Sequence, residues 1–248
     1  ASDVYKRQTQ SHAEPLWHYF KNPLIKYPLE CRQHFDKCGV KIWGATSDAH
    51  MQGNFWSQKN GMYPRNRLHK LTSKILKSLC AVEASYLVIP LVDGGKISDT
   101  KSKDYVVEEL LTYTNYLRDN NLKMLFEVDF SPKTTLDFIR EFPEDCYGIN
   151  YDMGNSAALG FDPVSEISLY GSYIGNVHVK DRKLKGITVP LGEGNANFKE
   201  TFDELLVKSY SGNFILQTAR SKDQNHAGVL ENYIKFISGF INKSFLRN

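Results

Sequence analysis

The sequence predicts an α/β fold, a (β/α)8 TIM barrel that lacks its first βα unit. From Val40 onward, short apolar runs alternate with amphipathic stretches, and six of the runs have the length and composition of strands. Strands that alternate with helices form parallel sheets with helical crossovers, and such strands are buried on both faces. A doubly wound sheet or a barrel would each fit six strands. Thr9–Gly39 is short for the two βα units that a barrel still needs, so the six would be strands three to eight.

Each predicted element follows from its own pattern. The six apolar runs that predict strands are Val40–Ala45, Tyr86–Val92, Lys123–Val128, Tyr147–Asp152, Ile174–Val179 and Phe214–Gln217. Apolar residues at helical spacing predict helices over Asn66–Glu83, Tyr105–Leu117 and Phe198–Lys208, and a closing helix that carries Val229 to Ile241. Ser131-Pro132 and Asp162-Pro163 each combine a good N-cap residue with proline at the first helical position, so each predicts a helix start.

The chain begins with a segment that does not match the rest. Ala1–Gln8 (ASDVYKRQ) lacks an initial methionine and resembles the translated tail of a transposon adapter used in sequencing libraries. We expect residues 1–8 to be non-native and the native sequence to be truncated before Thr9, with a native start as the alternative. No linker or repeat interrupts the pattern that follows, so residues 9–248 are predicted to form a single domain.

Composition narrows the classes of partner. The 248 residues carry a formal net charge of only +3 without a basic stripe, which disfavours nucleic acid as a partner. The four cysteines form no CxxC pair, which favours reduced thiols rather than a zinc knuckle or disulfides. No apolar stretch approaches the roughly 20 residues of a membrane helix, and no signal peptide is evident. We therefore expect a cytoplasmic protein without a membrane partner, and a homo-oligomer is left open.

Four consecutive predicted strands end with a side chain that can bind a metal ion. These side chains are Glu127 in LFEVD, Asp152 in NYDMGN, His178 in NVHVKD and Gln217 in ILQTA. In a barrel the carboxyl ends of the strands form the active face, so the four could point at one spot. Two carboxylates, an imidazole and an amide oxygen would suit one divalent ion such as Mn²⁺, Mg²⁺, Co²⁺ or Zn²⁺.

Each of these residues also has a structural interpretation. Glu127 could pair with a lysine, Asp152 could cap the turn that follows it, and His178 could be a core histidine with satisfied hydrogen bonds. Buried ionisable groups are costly unless they are paired or bound to a metal. Their matching positions on consecutive strands therefore favour a shared ligand.

The motifs YDMGN, HVKDR and VPLGEGNANF, in this order and spacing, resemble the xylose isomerase-like TIM-barrel superfamily. The similarity is greatest to its sugar-phosphate isomerase/epimerase branch, typified by L-xylulose/L-ribulose 5-phosphate 3-epimerases. The resemblance implies one divalent metal ion held by Glu, Asp, His and Glu, and the first three fall on Glu127, Asp152 and His178. It also implies proton transfer beside a carbonyl through an enediolate, on a small sugar or sugar phosphate.

Gln217 stands where the resemblance implies the second catalytic glutamate. Its amide oxygen can still bind a metal, but it has no titratable group and cannot accept or return a proton. Three outcomes stay open: an isomerase or lyase with Glu127 as its one base, an epimerase with a replacement acid such as Asp181 or Glu193, and a metal-binding relic.

Six further residues are candidates for substrate binding: His50, Asn155, Lys180, Asp181, Glu193 and Arg220. Lys180 and Asp181 follow His178 and could bind substrate hydroxyls or form a structural ion pair. Arg220 follows the last strand, where barrels often hold a phosphate. Asn155 could equally be part of a turn, and Arg220 a solvated surface residue.

Three other functions compete with a sugar isomerase or epimerase. An inosose dehydratase or isomerase is the nearest enzyme alternative within the superfamily. A repair enzyme of the endonuclease IV type would need additional histidine ligands, and the sequence DMGNSA after Asp152 lacks them. A non-catalytic sugar-binding barrel is the third alternative, and Gln217 is its main support.

Overall fold

The computed structural model describes residues 16–52, 56, 65–221 and 223–245. The predicted non-native segment, Ala1–Gln8, lies outside them. Six strands form one parallel sheet in the order β1-β2-β3-β4-β5-β8, and two short strands form a separate antiparallel hairpin. The strands are β1 (Gly44–Thr46), β2 (Tyr86–Leu91), β3 (Lys123–Val128), β4 (Tyr147–Asp152), β5 (Ile174–Val179), β6 (Asp181–Arg182), β7 (Thr188–Val189) and β8 (Asn213–Leu216).

Helices cover the outer face of the sheet. They are α1 (Pro23–Lys26), α2 (Pro28–Lys37), α3 (Asp48–Met51), α4 (Arg65–Ala81), α5 (Thr100–Leu111), α6 (Thr114–Asp119), α7 (Pro132–Ile139), α8 (Met153–Leu159), α9 (Pro163–Tyr170), α10 (Phe198–Val207) and α11 (His226–Phe245). Short 3-10 turns lie at Leu16–Lys21, Asp93–Gly95 and Gly171–Tyr173. Within these residues no helix has the length and apolar character needed to cross a lipid bilayer.

The sheet confirms the predicted class of fold, because its six parallel strands curl into part of a barrel with helical connections between them. The structure gives β3, β4 and β5 the bounds that the apolar runs predict. Both predicted helix starts are also present. Ser131 accepts a hydrogen bond from the backbone N–H of Thr134 at the start of α7, and Asp162 accepts one from Ser165 at the start of α9.

The structure differs from the sequence prediction in one strand, one helix and one hairpin, besides shifts of one or two residues at other element ends. Only Gly44–Thr46 of the predicted first strand pairs with β2. The helix predicted over Tyr105–Leu117 is two helices, because the chain turns at Thr112 and Tyr113. The hairpin of β6 and β7 was not predicted, since strands of two residues carry no detectable alternation.

Successive residues of each strand face opposite sides of the sheet. Leu87, Ile89 and Phe126 belong to the large apolar core under the helices. Leu125 instead packs with Tyr86 and Val88 in a small separate cluster. Because side chains alternate along a strand, Glu127 shares the face of Leu125 and is directed into the barrel.

Candidate metal centre

Three predicted ligands meet at the carboxyl ends of β3, β4 and β5. Asp152 and His178 are register partners on adjacent strands. Glu127, Asp152 and His178 are each at most 6% exposed. Each offers one ligand atom, and these atoms all lie within 4.8 Å of one another.

The apolar residues that precede the three ligands determine to which face of the sheet the ligand side chains point. Phe126, Tyr151 and Val177 precede the three ligands and are buried in the core under the helices. Since successive side chains point to opposite faces of a strand, each ligand must point into the barrel. The strand pattern thus places two carboxylates and one imidazole in a buried site, where isolated charges would be costly.

Each carboxylate oxygen of Glu127 accepts a hydrogen bond from an asparagine amide. Asn150 Nδ2 donates a hydrogen bond to Oε2 at 2.9 Å, and Asn155 Nδ2 donates one to Oε1 at 2.7 Å. His178 Nδ1 lies 3.2 Å from Oε2 of the same carboxylate. The carboxylate therefore has a fixed orientation beside the imidazole.

The two oxygens of Asp152 have different partners. Oδ1 accepts a hydrogen bond of 2.8 Å from the backbone N–H of Asn155 and so caps α8. Oδ2 lies 3.9 Å from His178 Nδ1 and accepts a hydrogen bond of 3.1 Å from Lys180 Nζ. The structural interpretation of Asp152 as a cap is thus correct for one oxygen, while the other faces the cluster.

Lys180 connects the cluster to Gln217. Its ammonium donates to Asp152 Oδ2 and to Gln217 Oε1, each at 3.1 Å, and to Asn155 Oδ1 at 3.2 Å. Gln217 follows β8, and its backbone N–H donates to the carbonyl of Val179 at 3.0 Å. The structure therefore brings Gln217 to the rim of the site, with its amide oxygen turned toward a cation.

The first turn of α8 makes room for Lys180. A Cβ atom added at Gly154 would lie 2.7 Å from Lys180 Cγ and 3.1 Å from the carbonyl carbon of Lys180. The glycine in DMGN therefore permits a close approach of the helix to the end of β5.

Four polar residues at or near the site were not predicted from the sequence. Arg182 Nη1 donates to Asn155 Oδ1 at 2.8 Å, which places a second cation beside Lys180. Asn150, Asn176 and Tyr86 form a buried chain of hydrogen bonds below the cluster. Asn150 and Asn176 each precede a predicted ligand by two residues, and this spacing could have revealed them.

His50 packs against Ser47, Thr72 and Trp56. It is fully buried, with Nδ1 2.6 Å from Ser47 Oγ and Nε2 3.1 Å from Thr72 Oγ1, and its ring stacks on Trp56. This burial lowers the pKa of His50 to about 3. These contacts connect α3 with α4, and the substrate contact inferred from the sequence stays a prediction.

The other three predicted substrate residues are Asp181 on β6, Glu193 on the loop after β7 and Arg220 after β8. The buried carboxylate of Asp181 accepts three backbone hydrogen bonds from the loop after β7, so the structure gives it a role in holding that loop. Glu193 is an exposed residue of the same loop, and its backbone carbonyl accepts a hydrogen bond from Lys183. Arg220 is exposed beyond β8. Substrate binding by these three residues stays a prediction.

Glu166 is a buried carboxyl group outside the cluster, behind β4. Glu166 accepts hydrogen bonds from the hydroxyls of Tyr151 at 2.9 Å and Tyr170 at 2.7 Å, and from that of Ser156. Burial raises the pKa of Glu166, although these three donors oppose the shift. The group belongs to the packing of α8 and α9 against β4 and adds no ligand to the cluster.

The donor set of the cluster fits a divalent ion. Two carboxylates and one imidazole are ligands of Zn²⁺ and other first-row ions, and catalytic zinc sites commonly have three protein ligands with an open position. Glu127, Asp152 and His178 would hold the ion, and Gln217 could add its amide oxygen.

Fold and site together define a class of protein, an α/β barrel with a candidate metal site at the carboxyl ends of its strands. The family model described as xylose isomerase-like TIM barrel matches residues 9–237, and the chain belongs to this family. The resemblance inferred from the sequence motifs is thereby confirmed.

Comparisons with individual proteins agree with this membership. An uncharacterized protein of Methanocaldococcus jannaschii is 21% identical over 251 residues, which cover 89% of this chain and 78% of that protein. The structure of the IOLI protein with a bound zinc atom matches with a TM-score of 0.71 at 16% identity, over 94% of this chain and 86% of that one. D-psicose 3-epimerase, solved in the presence of D-fructose, matches with a TM-score of 0.70 at 10% identity, over 90% and 86% of the two chains. At these identities, the solved structures show a shared fold.

Proposed function

We propose that the chain is a metal-dependent isomerase or epimerase that moves a proton next to the carbonyl of a small sugar or sugar phosphate. The observation that carries this proposal is the convergence of Glu127, Asp152 and His178, whose ligand atoms lie within 4.8 Å of one another. The fold shared with a sugar epimerase and with a zinc-containing protein supports it.

The bound metal ion would act as a Lewis acid that polarises the substrate carbonyl and the adjacent hydroxyl. Glu127, Asp152 and His178 would hold this ion. Their burial supports the assignment, because a dry site strengthens electrostatic interactions with the substrate.

Glu127 is the base in this proposal. Its two oxygens are fixed by the amides of Asn150 and Asn155, so the carboxylate has one orientation toward the site. A positioned carboxylate can remove the proton beside a carbonyl and return it, since general bases act within hydrogen-bond reach.

Gln217 favours a reaction with one base. Its amide group does not titrate and cannot act as a general base, and Lys180 donates a hydrogen bond to its oxygen. Lys180 would contribute a fixed positive charge next to the developing negative charge on the substrate. An isomerase that uses Glu127 for both proton transfers fits these residues better than a two-glutamate epimerase.

A non-catalytic sugar-binding barrel is the second candidate. The observation that favours it is the contact between Gln217 and Lys180, which supplies hydrogen-bonding groups where a second catalytic carboxylate would stand. The two candidates differ in whether substrate protons exchange with solvent.

Proton exchange in D₂O separates the two functions. The Mn²⁺-loaded protein is incubated with a panel of ketoses and ketose phosphates, and deuterium beside the carbonyl is measured by NMR. We expect the wild type to incorporate deuterium into at least one ketose, and Glu127→Gln to abolish the exchange. Glu200→Gln, an exposed change on α10, is the matched control and should exchange like the wild type.

Two results would count against the enzyme proposal. Metal binding without exchange in any of these sugars would favour the sugar-binding barrel. Exchange that persists in Glu127→Gln would remove Glu127 as the base. Gln217→Glu tests the fourth position, and we expect it to permit exchange on both faces of the substrate if a second base is what the wild type lacks.

A further inference from the structure

Three polar side chains, linked by hydrogen bonds, lie in the barrel interior below the candidate metal centre. They are Tyr86 on β2, Asn176 on β5 and Asn150 on β4, which are 7%, 0% and 2% exposed. Barrel interiors are usually filled with bulky apolar side chains. Two adjacent asparagines in this layer are therefore unusual, and their buried amides must be satisfied by hydrogen bonds.

The strand register places the asparagines directly below the ligands. Asn150 pairs with Asn176 in the register of β4 and β5, and two residues farther along the same strands Asp152 pairs with His178. Residues two apart in a strand share one face. The amide layer and the ligand layer are thus consecutive layers of the barrel interior.

The hydrogen bonds of these three side chains all donate in the same direction, from Tyr86 toward Asn150. The Tyr86 hydroxyl donates to Asn176 Oδ1 at 3.0 Å, and Asn176 Nδ2 donates to Asn150 Oδ1 at 2.6 Å. Asn150 therefore turns its Nδ2 group toward the cluster. There it donates to Glu127 Oε2 at 2.9 Å and lies 3.0 Å from His178 Nδ1.

We propose that Tyr86, Asn176 and Asn150 form an amide relay that positions Glu127 for the divalent ion. The inference rests on the proposed metal-dependent function and assigns positioning roles to three residues below the ligands. Groups that hydrogen-bond to metal ligands orient them and typically change metal affinity about 10–100-fold when they are replaced.

The relay suits this task because amides carry no charge and do not titrate. A carboxylate at position 150 would bring a further negative charge next to Glu127, and an aliphatic side chain there would remove the amide donor to Oε2. Tyr86 fixes the sense of the relay from the amino-terminal end of β2, because its hydroxyl donates to the oxygen of Asn176.

The test measures Mn²⁺ affinity by calorimetry and the free energy of unfolding by urea titration on the same variants. Asn150→Leu removes the donors next to Glu127 and His178, and we expect about 10-fold weaker Mn²⁺ binding or more. Tyr86→Phe removes only the hydroxyl at the far end of the relay and should weaken binding in the same direction. Tyr147→Phe is the matched control, since this buried hydroxyl donates to the Leu110 carbonyl on the helix side of the sheet.

The outcomes distinguish positioning from general packing. Weaker Mn²⁺ binding in Tyr86→Phe, with unchanged binding in an equally destabilised Tyr147→Phe, supports the relay. Unchanged binding in Tyr86→Phe and in a folded Asn150→Leu overturns it, as does equal weakening in the control. If Asn150→Leu does not fold, Tyr86→Phe decides alone. A wild type that binds no Mn²⁺ overturns the proposed function and this inference with it.

Discussion

Replacing Asp181 by asparagine would remove the negative charge that holds the loop after β7. Its Oδ2 accepts hydrogen bonds from the backbone N–H groups of Gly192 at 2.9 Å and Gly194 at 2.7 Å, and its Oδ1 accepts one from Ala196 at 3.0 Å. The residue is 1% exposed, so water cannot replace these bonds. The loop lies at the carboxyl side of the barrel, and this carboxylate binds three of its backbone N–H groups.

The size of the effect follows from the three bonds. Hydrogen bonds to a charged group contribute about 1.5–3 kcal/mol each, and neutral ones about 1 kcal/mol. An asparagine side chain could keep two bonds as neutral bonds, but its NH₂ group would then face the N–H of Ala196. We therefore expect Asp181→Asn to lower the free energy of unfolding by about 3 kcal/mol.

Urea unfolding followed by circular dichroism measures this loss. Asp137→Asn is the control, because Asp137 forms an exposed i,i+4 ion pair with Lys133 on α7. Such pairs contribute at most about 0.5 kcal/mol. A loss in Asp181→Asn no larger than that of the control would show that the carboxylate does not hold the loop.

Three further predictions concern packing and pH. Burial raises the pKa of Glu166 in the folded protein, so the folded state keeps a proton that the unfolded chain has lost. The free energy of unfolding therefore falls as pH rises from the unfolded pKa to the folded one, by at most about 1.4 kcal/mol per pH unit. Urea titrations at several pH values should show a smaller pH dependence of this free energy for Glu166→Gln. Gly154→Ala would gain roughly 1 kcal/mol of helix propensity but would press on Lys180, and overpacking costs of about 1–3 kcal/mol should make the net change destabilising in urea. Phe202 is fully buried on α10, and Phe202→Ala should cost about 3–5 kcal/mol in the same assay, whereas a loss below 1 kcal/mol would contradict the packing described.

The strands at the centre of the sheet could be predicted from the sequence because burial on both faces leaves a continuous apolar run. β3, β4 and β5 show this most clearly. At the edge of the sheet, the apolar run predicts a longer strand than the structure has. Val40 and Trp43 are 49% and 43% exposed, and the Lys41 ammonium lies 3.9 Å from the centre of the Trp43 ring. These residues have the composition of a strand, yet only Gly44–Thr46 pairs with β2.

The candidate site was predictable where strand geometry determines it. Glu127, Asp152 and His178 come together because each is the last or next-to-last residue of a parallel strand and lies on its inner face. The contact of Lys180 with Gln217 depends on side-chain conformation, which no spacing in the sequence determines. His50 has the polarity of a binding residue, but packing decides its contacts, which join α3 to Thr72 of α4.

The number of metal ions bound per chain tests whether Glu127, Asp152 and His178 form a metal centre. Protein loaded with Mn²⁺ or Zn²⁺ and then desalted is analysed by plasma mass spectrometry, together with Asp152→Asn and the control Asp137→Asn. An asparagine at position 152 can still cap α8, so the variant should fold. We expect one divalent ion per chain in the wild type and the control, and loss of the ion in Asp152→Asn. No bound ion in the wild type, or a full complement in Asp152→Asn, would contradict the metal centre.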